Sequence, residues 1–151
     1  MKRAGEELAQ ALLQAHLQVR LQECVSRASV VALTGELGSG KTTFAQGVAK
    51  GLSIRARILS PTFLIMKEYA FRRNGEEGVL YHFDWYRLED PRDVESLGWK
   101  SFLHNPRAII LVEWPERALR LIPPDALWVQ IAHAGNNERL LRLFASTPLL
   151  L

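Results

Sequence analysis

The sequence has 151 residues, 48% hydrophobic and 23% charged, with a formal net charge of +3, so it predicts one globular domain over residues 1–151 and excludes a disordered or fibrous chain. Its longest apolar runs, such as Ala108–Val112, are far shorter than the ~18 residues of a membrane span, and the charged start Met1–Glu7 lacks the pattern of a secretion signal. The single cysteine, Cys24, excludes an internal disulfide, and these features together predict a cytoplasmic protein without a membrane contact.

The first third of the chain alternates helical and strand-like patterns. Apolar residues at helical spacing predict a helix from Glu6 to about Leu21. Val30–Leu33 is a short continuous apolar run, which is typical of a strand buried on both faces of a parallel sheet. Lys41–Leu52 carries its large apolar residues on one side and predicts a second helix.

The middle of the chain predicts a hairpin followed by a broken helix. The strand-like runs Phe63–Phe71 and Val79–Tyr86 flank the turn-rich segment Arg72–Gly78, which predicts the hairpin. Asp93–Leu103 is predicted to be helical with a break at Gly98.

The last third predicts a buried strand and a second hairpin. Ala108–Val112 is another continuous apolar run, and Pro115 suits the first turn of a short helix. Leu127–Ala132 and Arg139–Ala145 flank a glycine- and asparagine-rich turn and predict the second hairpin. The whole pattern predicts an α/β fold with a mixed, mostly parallel sheet and antiparallel hairpin additions.

The segment Gly35–Thr42 carries the sharpest functional signal, because it matches the complete pattern of a phosphate-binding loop, or P-loop. Its glycines allow successive N–H groups to turn toward phosphate oxygens, and the following helix points its positive N-terminal end at the same place. Lys41 adds a charge between the β- and γ-phosphates, and the Thr42 hydroxyl is placed to ligate Mg²⁺. The predicted nucleotide-binding residues are Gly35, Glu36, Leu37, Gly38, Ser39, Gly40, Lys41, Thr42 and Thr43.

A phosphate-binding loop also needs an acid across the site to hold the metal, and two strand ends offer one. Ile109–Val112 is an apolar run followed by Glu113, as in a Walker B strand, although aspartate is the commoner residue there. A second run ends at Asp84, and strand alternation puts His82 and Tyr86 on the same face as this carboxylate. The sequence leaves open which of the two acids ligates the metal directly.

Four further blocks follow the phosphate-binding loop, and each is weakly specific by itself. The five blocks are Gly35–Phe44, Ser60–Phe63, His82–Leu88, Glu95–Gly98 and Val112–Arg117. In this order and spacing they resemble the TsaE family of bacterial P-loop ATPases, over about residues 30–117. One departure is Trp99-Lys100, which stands where family members often carry acidic residues.

The resemblance implies a P-loop NTPase-like three-layer sandwich and a Mg²⁺-dependent ATPase of tRNA threonylcarbamoyladenosine synthesis. The implied partners are TsaB and TsaD, with tRNA reached through that complex, and ATP hydrolysis is implied to support multiple turnover of the transfer to adenosine 37. Thr42 and Glu113 are implied to serve Mg²⁺, while Asp84 supports the metal or the attacking water. Thr62 is implied to belong to a switch-like loop, and Trp114 either lies near the nucleotide or packs.

Two rival functions share the same loop. A small-molecule kinase needs an acceptor pocket and an arginine-rich lid, and the sequence offers neither. A nucleotide-gated binding module that hardly hydrolyses has the same sequence pattern as a slow ATPase. Arg87 and Arg117 are the arginines beside the motifs, and no feature assigns either as an arginine finger, so the isolated protein is expected to be slow.

Overall fold

A six-stranded mixed sheet lies at the centre of the structure. The computed structural model describes residues 1–21, 27–61, 64–135 and 137–145. The strands are β1 (Ser29–Thr34), β2 (Met66–Arg73), β3 (Glu76–Asp84), β4 (Ala108–Glu113), β5 (Leu127–His133) and β6 (Arg139–Phe144). The helices are α1 (Lys2–Leu21), α2 (Lys41–Gly51), α3 (Pro91–Ser96) and α4 (Trp99–Leu103), with a 3₁₀ helix at Pro115–Leu121.

The strands lie in the order β2-β3-β4-β1-β5-β6 across the sheet. The four inner strands are parallel, and the two edge strands, β2 and β6, run antiparallel to their neighbours. The central strand β4 is buried at every position, as a continuous apolar run on a two-sided sheet requires. The predicted mixed sheet with antiparallel hairpin additions is confirmed.

Helices cover both faces of the sheet and complete three layers. On one face α1 and α2 pack over alternate strand residues such as Val31, Leu33 and Leu111. On the other face α3, α4 and the 3₁₀ helix pack over the intervening residues, including Val112 and Trp128. This division follows from strand geometry, because successive side chains point to opposite faces.

The two helices of the first layer touch each other backbone to backbone. A Cβ on Gly47 would overlap the carbonyl oxygen of Lys2, and a Cβ on Gly51 would lie 2.6 Å from the Cβ of Ala9. Lys50 also forms an ion pair with Glu6 at 2.8 Å. The glycines of α2 therefore permit a helix contact that larger residues would prevent.

The first hairpin differs from its prediction in the length of the turn. The strands β2 and β3 continue through most of the segment predicted as turn, and only Asn74 and Gly75 lie between them. Both have positive φ, 53° and 82°, which suits a two-residue hairpin turn. The sequence predicted too long a turn because this segment is rich in charged residues. In the structure, charged residues such as Arg72 and Glu77 lie on the exposed strands and pair across them.

Candidate functional site

The segment 35–40 connects the carboxyl end of β1 to the start of α2. Gly40 precedes the helix with a φ of 108°, in the left-handed region that favours glycine. At Gly35 the φ is 146°, and a Cβ there would overlap the carbonyl oxygen of Ile131 on β5. The loop therefore depends on glycine at both ends, and it leaves the first amides of α2 unpaired within the helix and able to bind an anion.

The crest of this loop is exposed, and the loop is anchored near its end by an arginine that is distant in sequence. Glu36 and Leu37 face solvent, with Leu37 71% exposed. Ser39 is buried, and its Oγ has no hydrogen-bond partner among the residues that the structure describes. The Ser39 carbonyl accepts a hydrogen bond of 3.1 Å from Nε of Arg139 on β6. The outward Glu36 thus keeps its carboxylate away from the inner side of the loop.

Lys41 begins α2 with its side chain buried against the loop. Its Nζ donates to the carbonyl oxygens of Gly35 at 2.6 Å and Glu36 at 2.9 Å, and lies 3.9 Å from the ring centroid of Trp114. Burial lowers the pKa of this ammonium below its usual value, and the carboxylate of Glu113 opposes the shift. The lysine charge is therefore held close to the loop by carbonyls and an aromatic face.

Thr42 and Glu113 meet across the site. The Thr42 Oγ1 donates toward the Glu113 carboxylate, with 3.1 Å to each oxygen. The pairing follows from topology, because β1 and β4 are parallel neighbours with Leu33 beside Glu113, so both strands end at the edge where α2 starts. A hydroxyl and a carboxylate side by side are the hard oxygen ligands that Mg²⁺ prefers.

Asp84 lies beside this pair at the end of β3, in register with Glu113. It is 7% exposed, and its Oδ1 accepts a hydrogen bond of 2.9 Å from the backbone N–H of Tyr86. Its Oδ2 accepts a hydrogen bond from the Ser60 hydroxyl. The loop after Ser60 contains Thr62, which falls outside the described residues.

These side chains surround a cavity of about 390 Å³. Its volume is within the range of small-molecule sites. The lining residues are Leu37, Gly38, Gly40, Lys41, Thr42, Thr43, Ser60, Asp84, Tyr86, Glu113 and Trp114. Trp114, with a φ of 59° and a ring tilted against Tyr86, is therefore part of the cavity wall as well as a packing residue.

Two residues at the site receive no role from the sequence pattern. His82 is fully buried, and its Nε2 lies 2.8 Å from Oε1 of Glu113. The sequence places His82 on the same strand face as Asp84, but it does not indicate this contact with Glu113. Arg139 reaches the loop because the second hairpin places β6 beside β5, the neighbour of β1. Sequence proximity identifies Arg87 and Arg117 instead, and no local signal could have identified Arg139.

Among the described residues, no group of three or more histidine, cysteine or acidic side chains has a geometry that could hold a metal ion. Within the same part of the chain, every helix is too short or too polar to traverse a lipid bilayer. The oxygens of Thr42 and Glu113 fit a Mg²⁺ ion that takes its remaining ligands from phosphates and water.

A family model described as Threonylcarbamoyl adenosine biosynthesis protein TsaE matches residues 3–141 of the chain. The chain belongs to the TsaE family. The family is involved in the biosynthesis of threonylcarbamoyladenosine in tRNA. Membership agrees with the phosphate-binding loop and the strand-end acids described above, which belong to three of the five blocks on which the sequence resemblance depends.

Two curated relatives carry the same family name. The tRNA threonylcarbamoyladenosine biosynthesis protein TsaE of Haemophilus influenzae is 34% identical over 149 residues, which cover 99% of this TsaE chain and 85% of the relative. The TsaE protein of Bacillus subtilis is 43% identical over 112 residues, 73% of this chain and 65% of the relative, so this match spans less than two thirds of that relative.

A solved structure shares the fold. The crystal structure of YdiB from Bacillus subtilis superposes with a TM-score of 0.62 at 30% sequence identity, and the match covers 89% of this chain and 80% of that one. This likeness supports the P-loop architecture of the TsaE chain.

Proposed function

We propose that residues 1–151 act as one nucleotide-binding domain that binds ATP with Mg²⁺ and hydrolyses it in the cytoplasm, as the ATPase component of tRNA threonylcarbamoyladenosine synthesis. One observation carries the proposal. The Thr42 hydroxyl meets both carboxylate oxygens of Glu113 where the phosphate-binding loop joins α2. P-loop NTPases hold their metal with this combination of a loop hydroxyl and a strand-end acid.

Phosphate binding is supported by the loop, the start of α2 and Lys41. The N–H groups of the loop and of the first turn of α2 offer donors to phosphate oxygens, and the helix dipole favours negative charge there. To bind a phosphate, the Lys41 ammonium exchanges its bonds with the Gly35 and Glu36 carbonyls for phosphate oxygens. Trp114 borders the same cavity and limits the space beside the lysine.

Thr42 and Glu113 are the proposed metal ligands. When bound, Mg²⁺ neutralises charge on the β- and γ-phosphates and so favours departure of the terminal phosphoryl group. The chain's own contribution is to hold a hydroxyl and a carboxylate at one point of the cavity, on two elements fixed by the sheet.

Asp84 is proposed to orient the attacking water and to take up its proton. Its carboxylate is held at one oxygen by the backbone N–H of Tyr86, which fixes its direction at the cavity wall. The Ser60 hydroxyl contacts the other oxygen, so the start of the proposed switch-like loop is linked to this acid. The role of Thr62 in that loop depends on the family resemblance alone.

The proposed partners are TsaB and TsaD, with tRNA reached through their complex. The exposed crest of the loop comprises Glu36 and Leu37, and Leu37 also lines the cavity, so a partner that contacts the crest could complete the site. Hydrolysis would then support multiple turnover of the modification rather than perform the transfer.

The test combines binding with turnover. Calorimetric titration with ATP, in Mg²⁺ and in EDTA, should show binding that the metal strengthens. Phosphate release should be slow for the isolated protein and faster with TsaB and TsaD present. ADP formation that requires an added small-molecule hydroxyl acceptor and occurs without matching phosphate release would favour a kinase. Tight binding without phosphate release under any condition would favour a nucleotide-gated module.

A further inference from the structure

We propose that His82 is a positioning residue for the Glu113 carboxylate, an inference that rests on the proposed nucleotide function. His82 lies fully buried on β3, and its Nε2 is 2.8 Å from Oε1 of Glu113. The proposed role places the proton on Nε2 of His82, because an ionised carboxylate can only accept hydrogen bonds. The donor of this bond therefore lies on β3, a strand of the sheet.

Glu113 needs such a donor because it is only 2% exposed. A buried carboxylate is costly unless hydrogen-bond donors surround it. The described contacts supply donors from two elements, Thr42 on α2 and His82 on β3. Thr42 is itself a proposed metal ligand, so its hydroxyl serves two groups. His82 is the donor without a ligand role, and it therefore holds the carboxylate in one orientation whether or not the metal is bound.

Among the described residues, the His82 ring makes one hydrogen bond, the one to Glu113. Its Nδ1 is buried and has no partner within the described part of the chain. Leu80, two residues earlier on the same face, and Leu111, its register partner on β4, are both fully buried. The ring thus directs one N–H to a proposed metal ligand from an apolar setting, as residues that orient metal ligands commonly do.

The test measures how much Mg²⁺ strengthens binding of the non-hydrolysable analogue AMP-PNP. The ratio of affinities in Mg²⁺ and in EDTA is determined by calorimetry for the parent, His82→Leu and His82→Gln. Leucine keeps apolar bulk without a donor, and glutamine keeps an N–H at a similar reach from the backbone. We expect the ratio to fall on the order of tenfold in His82→Leu and to be largely restored in His82→Gln. Affinity in EDTA should change little.

Leu80→Val is the matched control, because it weakens packing on the same strand face without removing a donor. It should lower the melting temperature and leave the Mg²⁺ ratio as in the parent. If His82→Leu keeps the parent's ratio, or if Leu80→Val loses it equally, His82 is an ordinary core residue. If the parent's affinity for AMP-PNP does not depend on Mg²⁺, the proposed metal role and this inference are both overturned.

A second measurement covers the case in which His82→Leu does not fold. The imidazole ¹H–¹⁵N spectrum of the parent protein should contain a Nε2–H resonance of His82 that is protected from solvent exchange. It should move when AMP-PNP is added with Mg²⁺ and stay in place when AMP-PNP is added with EDTA. A resonance that responds equally in both conditions, or not at all, would contradict the positioning role.

Discussion

Lys41 is the residue on which nucleotide binding should depend most. Its charge is desolvated and held by two loop carbonyls and the Trp114 ring. Lys41→Ala should lower ATP affinity by about tenfold or more, the worth of one strong charge-assisted contact, while the protein stays folded. Calorimetry combined with a thermal unfolding curve checks both parts. Unchanged affinity in a folded variant would contradict the assignment of the loop.

The same lysine predicts a pH dependence of binding. Burial places the pKa of Lys41 below its usual value in the free protein, so the ammonium loses its proton at a lower pH than an ordinary lysine does. ATP affinity should therefore begin to fall with rising pH before an exposed lysine would titrate. The profile of Lys41→Ala should be flatter over that interval, and parallel profiles would show that another group titrates.

Glu113 and Asp84 should separate hydrolysis from binding. Glu113→Gln and Asp84→Asn keep the shape of each side chain and remove its charge. Each should nearly abolish phosphate release while leaving nucleotide binding measurable, because the loop and Lys41 still contact the phosphates. Release assays under saturating ATP and direct titration are the measurements. A variant that hydrolyses ATP like the parent would show that its acid is only a structural hydrogen-bond acceptor.

At the level of elements, the contact between α1 and α2 predicts that replacing a helix glycine by alanine lowers stability, which is the opposite of the usual effect. Alanine normally stabilises a helix relative to glycine by ~1 kcal/mol. At Gly47, however, a Cβ would overlap the Lys2 carbonyl oxygen, so α1 must move away. Gly47→Ala should lower the free energy of unfolding by roughly 1–3 kcal/mol, as overpacking does. Chemical denaturation measures it, and a gain in stability would show that α1 shifts freely.

The helices and strands could be predicted closely from the sequence, whereas the contacts between them could not. Buried strands and the helix after the loop are visible because apolar runs and glycine patterns are local. An acid beside Thr42 could be expected, since a phosphate-binding loop requires one, but the residues alone did not decide between Glu113 and Asp84. The bond from Arg139 to the loop could not, because it depends on β6 lying next to β5 and on one side-chain direction. The two-residue turn at 74–75 could not be recognised from the sequence, because the strand residues that flank it are also charged.

For the whole molecule, the expectation is an ATPase that is slow until partners bind. An arginine finger is typically worth ~10³–10⁵ in rate where one exists. Arg139, the arginine found at the loop, uses its Nε on the Ser39 carbonyl, which is a structural contact. Glu36 is exposed next to Leu37, which lines the cavity, so a basic partner group can meet its carboxylate there.

Steady-state assays with and without TsaB and TsaD test this expectation. The parent should be accelerated by the pair, and Glu36→Gln should lose part of that acceleration while its rate alone stays the same. If the isolated protein hydrolyses ATP fast and the pair does not change its rate, a self-contained ATPase would be favoured.

Trp114 gives the molecule a built-in optical signal. The chain has four tryptophans, and three of them, Trp85, Trp99 and Trp128, are buried in the core and do not line the cavity. Trp114 instead has an ammonium 3.9 Å from its ring centroid and a cavity in front of it. When Lys41 turns to a phosphate, the electric field should change most at the Trp114 indole, because this is the tryptophan that contacts the lysine and lines the cavity. Intrinsic emission can therefore follow nucleotide arrival and departure in real time without an added label.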